Sequence, residues 1–205
     1  MRQYKKVIGN RKIVANCEEF LSAQAEWLLE LIKETNGSNQ IYNGMKIQVG
    51  WTIFTLIEQN KLLEILAPNY DTNPFTETSK DLSVSLSVQL SQNHVLQKLN
   101  LDGEASLFQD KIIMPKGAID FERVYLERSK NYNEGDSGWY LGPVEGEDEN
   151  PELVAYYIYQ LLNLRPSLLK ALAIPRGYIV VFDNDNIEAV LDENDNNIWL
   201  EVHES

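Results

Sequence analysis

The residue types that most often carry catalysis are scarce in this chain. Its 205 residues include two histidines, His94 and His203, and one cysteine, Cys17. A catalytic triad or a Cys-His pair requires a nucleophile within hydrogen-bonding reach of a histidine. The sequence contains no nucleophile elbow, no paired metal-binding motif and no phosphate-binding glycine loop, and the two acidic residues after Cys17 oppose thiolate formation. We therefore predict no catalytic residues, no cofactor and no metal site, with Cys17 a partly buried small residue.

Carboxylates are the remaining candidates for chemistry. Glu145, Glu147, Asp148 and Glu149 lie together in a glycine-containing segment, residues 145–150, that we call the acidic loop. General acid–base catalysis requires carboxylates that are rigidly held and partly desolvated, whereas adjacent acids in a loop are typical of a solvated surface. We predict that the acidic loop binds a partner, and a metal-dependent enzyme that uses these carboxylates is the alternative.

Two further acidic segments, residues 183–186 and residues 192–197, combine Asp and Asn. Alternating acids of this kind occur in calcium loops, but the glycine and the terminal glutamate of an EF-hand are not in register here. Asp and Asn also favour turns, because their side chains bond to the local backbone and tolerate left-handed conformations. The sequence predicts two turns between strands.

The acidic residues are concentrated in the second half of the chain. The total net charge is −13. Residues 1–115 carry 11 Lys/Arg and 13 Asp/Glu, whereas residues 116–205 carry 7 and 18. A negative field of this size repels nucleic acids and anionic membranes, which need Lys or Arg partners, and attracts cationic proteins. We predict a protein partner with a basic surface, no nucleic acid and no membrane, although charge that only maintains solubility would look the same.

Apolar runs are short throughout the chain. No stretch approaches the roughly 20 apolar residues that cross a bilayer, and no apolar run follows the basic first twelve residues as it would in a signal peptide. The hydrophobic content of 43% is ordinary for a folded domain. We therefore expect a cytoplasmic globular protein.

The first half of the chain alternates between helical and strand periodicity. A helix is predicted from Asn16, with Asn16 as N-cap, Gly37 as C-cap and Trp27 in the core. Period-two alternation predicts strands over residues 45–53 and 62–67. The next stretch, residues 81–101, is predicted to be a helix capped by Asp81, with a strand over 81–92 as the alternative. The remaining elements are predicted as strands at 112–114, 121–126, 139–141, 178–182, 187–191 and 198–202, and a short helix at 166–171.

In the second half of the chain, another helix is predicted from Asn150 and Pro151, which suit the N-cap and first helical positions. Three tyrosines, Tyr156, Tyr157 and Tyr159, would lie on it and could not all face inward. At least one, such as Tyr156, would be exposed, and exposed tyrosine is favoured at protein interfaces. A tyrosine ring that lies over a sheet with its hydroxyl in water is the alternative.

These patterns predict an α+β protein with two closely packed halves, each a small, mostly antiparallel sheet with one or two helices. The change in charge places the division near residue 115. Residues 1–115 form an N-terminal α+β region without an assigned role, and residues 116–205 form a second α+β domain. No linker signature separates the two, and the oligomeric state stays open.

The most distinctive motif is Asp136-Ser137-Gly138-Trp139, which precedes the acidic loop. Leu164-Arg165-Pro166-Ser167 and Ile174-Pro175-Arg176-Gly177 follow the loop. This order resembles immunity-protein family thirty-three of the bacterial polymorphic toxins, over about residues 120–185. The chain departs from the family pattern where Gly142-Pro143-Val144 precedes the acids, and where Val181-Phe182-Asp183 replaces an aromatic-acid-Arg ending.

The resemblance implies an α+β domain that binds and neutralises a cognate toxin made by the same cell, without catalysis. A regulatory or scaffold module unrelated to toxins is the alternative. The signature residues could contact the toxin, or Asp136 and Ser137 could instead fix a turn that a buried Trp139 anchors. The motif, the acidic loop and the tyrosines together give the predicted partner-binding residues: Asp136, Ser137, Trp139, Glu145, Glu147, Asp148, Glu149 and Tyr156.

Overall fold

The computed structural model describes residues 1–36, 41–129, 136–146 and 150–199. Backbone contacts divide the chain into two units, Met1–Leu90 and Ser91–Ser205. Each unit has a six-stranded, mostly antiparallel sheet within these residues, so the predicted α+β class is confirmed. No helix in these ranges is long and apolar enough to cross a membrane. The charge of the chain changes near residue 115, whereas the contacts divide it inside a helix.

The sheet of the N-terminal unit has the order β1-β2-β5-β4-β3, and β6 pairs with β5. Neighbouring strands are antiparallel except for β2 and β5, which are parallel. The strands are β1 (Arg2–Ile8), β2 (Arg11–Cys17), β3 (Lys46–Val49), β4 (Thr52–Gln59), β5 (Leu62–Pro68) and β6 (Thr78–Ser79). The β1–β2 hairpin, which the sequence analysis did not predict, adds the strand that pairs in parallel with β5.

One helix covers this sheet. Helix α1 spans Ser22–Asn36 and follows a 3₁₀ turn, Glu19–Leu21. Its buried face repeats at helical spacing, and the apolar stripe packs on sheet residues such as Ile13, Phe54 and Ile65. The stripe consists of Leu21, Ala25, Leu28, Leu29 and Ile32.

The predicted start of this helix was wrong. Asn16 belongs to β2, where its carboxamide oxygen accepts a hydrogen bond from Gln3 at 3.2 Å. The capping-box spacing was misleading because strand pairing with β1 takes precedence over local capping in residues 11–17. Trp27 was predicted to be core, but it is 42% exposed. The predicted C-cap, Gly37, lies outside the described residues.

The strand predicted over residues 45–53 is a hairpin. Gly50 has a φ of 55° and turns β3 into β4. This left-handed conformation favours glycine, because other residues adopt it only with strain. Trp51 is fully buried, stacks on Tyr70 at 4.9 Å, and donates its indole N–H to the carbonyl of Ser85 at 3.0 Å.

Helix α2 spans Ser83–Leu99, so the helical prediction for this stretch is confirmed. Asp81 acts as its cap, because its carboxylate accepts the backbone N–H of Ser83 at 2.9 Å. The division between the two units falls within this helix. In the C-terminal unit, Gln92 donates its side-chain amide to the carbonyl of Leu169 at 3.0 Å.

The sheet of the C-terminal unit has the order β10-β7-β9-β8-β11-β12. All neighbours are antiparallel except β7 and β9. The strands are β7 (Lys111–Pro115), β8 (Arg123–Arg128), β9 (Asp136–Pro143), β10 (Leu153–Tyr157), β11 (Ile179–Asp183) and β12 (Asn186–Leu191). Short helical segments pack with this sheet: helix α3 (Leu161–Leu164) and the 3₁₀ helices Ala118–Asp120, Ile158–Gln160 and Pro166–Ala171.

The helix predicted to start at Asn150 and Pro151 was wrong, because Leu153–Tyr157 is strand β10. Val154, Tyr156 and Tyr157 are residue types that favour strands, and pairing with β7 takes precedence over the N-terminal helix signal. The short helix predicted at 166–171 is confirmed as a 3₁₀ helix.

The predicted strand over residues 198–202 lies partly outside the described residues. Ile198 is not in a strand, although it donates its N–H to the carbonyl of Val190 at 2.8 Å. The predicted turns at 183–186 and 192–197 are confirmed as turns. In the second one, the Asp192 carboxylate accepts backbone N–H groups from Asn194 and Asn196 at 2.8 and 2.9 Å, and these bonds lower the pKa of Asp192.

Candidate partner-binding surface

The Asp136-Ser137-Gly138-Trp139 motif forms a bulge at the start of β9. The register with β7 pairs Lys111 with Asp136 and then Ile113 with Tyr140, so β9 uses more residues than β7 over the same distance. Gly138 has a φ of 78°, a left-handed conformation that glycine adopts without strain. The Asp136 carboxylate accepts the N–H of Gly138 at 2.9 Å and fixes the turn.

Ser137 bridges the two strands of this bulge. Its hydroxyl donates to the carbonyl of Lys111 at 2.6 Å and accepts the N–H of Trp139 at 3.0 Å. The residue is 2% exposed. Because bulged residues lose ladder hydrogen bonds, the hydroxyl satisfies two backbone groups that the irregular register leaves without a strand partner.

Trp139 is a buried residue of β9. It is 1% exposed, and its indole N–H donates to the hydroxyl of Ser106 at 3.1 Å. The guanidinium of Arg128 lies 5.5 Å from the ring centroid. Ser137 and Trp139 therefore offer little side-chain surface for binding, and the signature acts here as a turn anchored by a buried tryptophan.

Two buried arginines hold the surrounding loops. Arg128 is 3% exposed and donates to the carbonyls of Ser137, Glu104 and Ile174 at 3.2, 2.8 and 3.1 Å. Such a planar group with five donors can satisfy several carbonyls at once. No sequence motif around Arg128 indicates this role.

Arg165, in the second of the three motifs, serves as a similar hub. It is 8% exposed and donates to four backbone carbonyls, and burial lowers its pKa. The distances to Phe121, Glu122 and Ile119 are 2.6, 3.0 and 3.3 Å, and the fourth acceptor is Asn184. In the third motif, Arg176 forms an ion pair with Glu104, and Gly177 adopts a φ of 90°. The three motifs therefore support the fold of this unit.

The acidic loop begins at the end of β9. Glu145 has a side chain that is 86% exposed and lies 3.6 Å from the guanidinium of Arg123. Arg123 also pairs with Glu188 at 3.0 Å, and the hydrogen bonds and charge of Glu188, followed by the charge of Glu145, raise its pKa. The other predicted contact residues of the loop, Glu147, Asp148 and Glu149, lie outside the described residues.

Tyr156 lies in β10 opposite Ile112 and is half-buried. In a strand, successive side chains point to opposite faces, so Tyr156 and Tyr157 are on different faces of the sheet. Tyr157 stacks on Tyr159 at 6.0 Å. Of the predicted residues, the structure therefore places Glu145 on the surface, Asp136 and Tyr156 partly accessible, and Ser137 and Trp139 in the interior.

Four clefts lined by described residues of the C-terminal unit are small. One beside the start of β10 measures about 260 Å³, below the range of about 300–1,000 Å³ typical of small-molecule sites, and three others of about 300 to 320 Å³ are at its lower end. The cleft beside β10 combines apolar side chains with one ion pair, Lys116–Glu152 at 2.9 Å. It is lined by Pro115, Lys116, Ala118, Phe121, Pro143, Gly146, Pro151 and Glu152.

Exposed carboxylates dominate the surface of this unit. Two of its arginines are buried on backbone carbonyls, and Arg123, Lys116 and Arg176 each pair with a glutamate. The exposed acids are distributed over the loops and strand ends: Asp102, Asp120, Glu122, Glu127, Glu145, Glu152, Asp183, Asp185, Glu188, Glu193 and Asp195. Exposed acids therefore outnumber exposed basic residues among the described residues of this unit, and the surface keeps a net negative charge.

In a comparison with protein families, residues 91–193 match the model of the Imm33-like domain. No curated protein and no solved structure matches the chain significantly. The matched range begins where the C-terminal unit begins and contains the three motifs that resemble immunity family thirty-three. Since the match covers half of the chain, this protein belongs to the Imm33-like family.

Proposed function

We propose that this chain is an immunity protein that binds a cognate toxin and occludes its active or substrate surface without catalysing a reaction. The observation that carries the proposal is the coincidence of the Imm33-like range with the acidic unit. Residues 91–193 contain 18 Asp or Glu and 9 Lys or Arg. The immunity-family relation supplies the class of function, and the charge supplies the chemistry of the partner.

The described surface supports binding by a broad acidic face. A toxin that acts on nucleic acid needs a cationic substrate groove, because phosphates are bound by Lys and Arg. An acidic protein that covers this groove would compete with the substrate through complementary charge. The proposal therefore names a toxin with a basic surface as partner, and places the interaction in the bacterial cell that makes both proteins.

The metal-dependent enzyme that uses the acidic loop is the competing function. Among the described residues, no three His, Cys, Asp or Glu side chains are arranged to hold a metal ion. The exposed Glu145 sits in an ion-pair network with Arg123 and Glu188. General acid catalysis requires a carboxylate that is held rigidly and away from water, whereas the Glu145 side chain is solvated and ion-paired.

Co-expression tests the proposal. The protein encoded by the neighbouring gene is expressed alone and together with this chain, and growth and complex formation are measured. We expect the neighbour to be toxic alone, and to be neutralised and co-purified when this chain is present. A neighbour that is harmless alone, or that stays toxic and unbound, would refute the immunity assignment and favour a regulatory or scaffold role.

A further inference from the structure

Strand β10 is one edge of the C-terminal sheet. It pairs with β7 on one side, and no strand of the described residues pairs with the other side. The opposite edge, β12, is partly covered, because Val190 donates its N–H to the Asn197 side chain at 3.3 Å and accepts the N–H of Ile198 at 2.8 Å. Among the described residues, the backbone of β10 is therefore more available for pairing with another strand than the backbone of β12.

The register shows which backbone groups of β10 face outward. Lys116 donates its N–H to the carbonyl of Glu152 at 2.9 Å, and Ile158 donates to the carbonyl of Asp110 at 2.9 Å. In an antiparallel pair, hydrogen-bonded residues alternate with residues whose N–H and C=O point away. It follows that residues 154 and 156 bond to β7, whereas the N–H and C=O groups of Leu153 and Ala155 point to the open side.

At the C-terminal end of β10, the outward backbone N–H already has a hydrogen-bond partner. Tyr157 is the next residue with an outward N–H, and it donates to the Gln160 side chain at 2.8 Å. The open edge therefore consists of the backbone groups of Leu153 and Ala155.

Natural edge strands are usually protected by lysine, proline, a bulge or an inward-pointing charge. Strand β10 has the sequence Leu-Val-Ala-Tyr-Tyr, without a charge or a proline, and its register with β7 is regular. Leu153 is 56% exposed, so an apolar side chain stands next to the open backbone groups. An edge of this kind is suited to receive another strand.

Charge selects the occupant. The Imm33-like range that contains β10 carries 18 Asp or Glu and 9 Lys or Arg. A second copy of this chain would bring an equally acidic unit, which is repelled. An extended segment that carries Lys or Arg would be attracted. The cleft of about 260 Å³ beside Glu152 lies at the start of β10, where it would receive one side chain of the added segment.

We propose that the open edge of β10 binds an extended, cationic segment of the toxin as an added strand. This inference rests on the proposed function and identifies its interface. Backbone hydrogen bonds to Leu153 and Ala155 would supply affinity, and the net negative charge of the unit would favour a basic segment.

Residue-resolved amide hydrogen exchange tests strand addition. The probe is the protein encoded by the neighbouring gene, in an inactive form if it is toxic, and exchange is followed by NMR on the whole chain. In the free chain we expect fast exchange at Leu153 and Ala155 and slow exchange at Val154 and Tyr156. On binding, Leu153 and Ala155 should become protected, at least about tenfold. A complex that leaves these two amides unprotected overturns the strand-addition proposal while the immunity function stands.

A matched pair of variants provides a second test. Ala155→Pro removes an outward N–H, and proline is tolerated at an edge position whose N–H faces solvent. Ala155→Val keeps the N–H and is the control. We expect the proline variant to raise Kd by about tenfold or more through the lost hydrogen bond, and the valine variant to bind like the parent. Equal binding by both variants refutes the proposal, and amide protection in the parent decides the question if Ala155→Pro does not fold.

A matched pair of charge variants provides a third test. Glu152→Gln removes an exposed acid at the start of β10, and Glu188→Gln removes an exposed acid in β12; each acid is ion-paired with one basic residue, Lys116 and Arg123 respectively. We expect Glu152→Gln to slow association more than Glu188→Gln does, because steering depends on charges close to the interface. A larger effect of Glu188→Gln would place the toxin at the other edge and overturn the proposal. Absence of any complex would instead refute the proposed function.

Discussion

Replacing Ser137 with alanine removes the hydroxyl that joins β7 to the bulge in β9. The hydroxyl donates to the carbonyl of Lys111 at 2.6 Å and accepts the N–H of Trp139 at 3.0 Å, at a site that is 2% exposed. Alanine fits the same space but can satisfy neither group. The substitution therefore tests whether the signature motif supports the fold or contacts a partner.

The expected loss of stability follows from the two backbone groups. A buried donor or acceptor left without a partner costs about 1–3 kcal/mol. Two such groups would cost about 2–6 kcal/mol if neither relaxed. Because the bulge can shift slightly and water can reach its end, we expect a decrease of about 2–4 kcal/mol in the free energy of unfolding of the C-terminal unit.

Urea denaturation followed by tryptophan fluorescence measures this loss, because Trp139 reports directly on the unit. The control is Gln109→Ala, which removes an exposed side chain in the turn before β7 and should change stability by less than about 0.5 kcal/mol. Binding to the toxin at a temperature where both variants are folded should be the same. A Ser137→Ala variant of unchanged stability and much weaker binding would refute the structural role and return Ser137 to the interface.

Three further predictions concern other buried groups. Arg165→Met leaves four backbone carbonyls without their donor, so we expect a loss of at least about 3 kcal/mol in urea denaturation, and a loss below about 1 kcal/mol would contradict the hub role. Burial raises the pKa of Tyr70 to about 12. Because this tyrosine ionises first in the unfolded state, the free energy of unfolding should fall between about pH 10 and 12, by up to about 3 kcal/mol. A spectroscopic titration in which all ten tyrosines ionise near pH 10 would contradict this. Cys17 is fully buried, and burial followed by the charges of Asp81 and Glu18 raises its pKa, so a thiol reagent at mildly alkaline pH should react only after unfolding, and rapid reaction of the native protein would contradict its burial.

Elements with an unambiguous local pattern could be predicted from sequence. Strand β5 follows a turn and ends at Pro68, and helix α2 has a capping aspartate and an apolar stripe, so periodicity and punctuation agree. The 3₁₀ helix at residues 166–171 follows from Pro166. At these places local propensity and tertiary packing favour the same structure.

Elements that depend on pairing could not be predicted in the same way. Asn16 and Glu19 have the spacing of a capping box, and Asn150 and Pro151 resemble the start of a helix, yet β2 and β10 are strands because a neighbouring strand satisfies their backbone groups. The basic hairpin β1–β2 lacks a clear apolar alternation and depends on its neighbour β5. Pairing partners distant in sequence leave little local signal.

The candidate site shows the same limit. The acidic loop and the signature motif were identified from residue types and from resemblance to a family, and the family relation is confirmed. Burial decides the roles within the motif: Ser137 and Trp139 are interior, whereas Glu145 is exposed. The open edge of β10 requires the strand order of the sheet, which spans residues 111 to 191, and no local pattern indicates it.

The central claim is that the acidic C-terminal unit binds a cationic toxin. The most direct measurement is the dissociation constant between this chain and the protein encoded by the neighbouring gene, from about 0.1 M to about 1 M salt, where the Debye length falls from roughly 10 to roughly 3 Å. We predict a tight complex at low salt and a Kd that rises by at least about tenfold across this range. A Kd that does not change with salt, or no complex at any salt concentration, would contradict the claim.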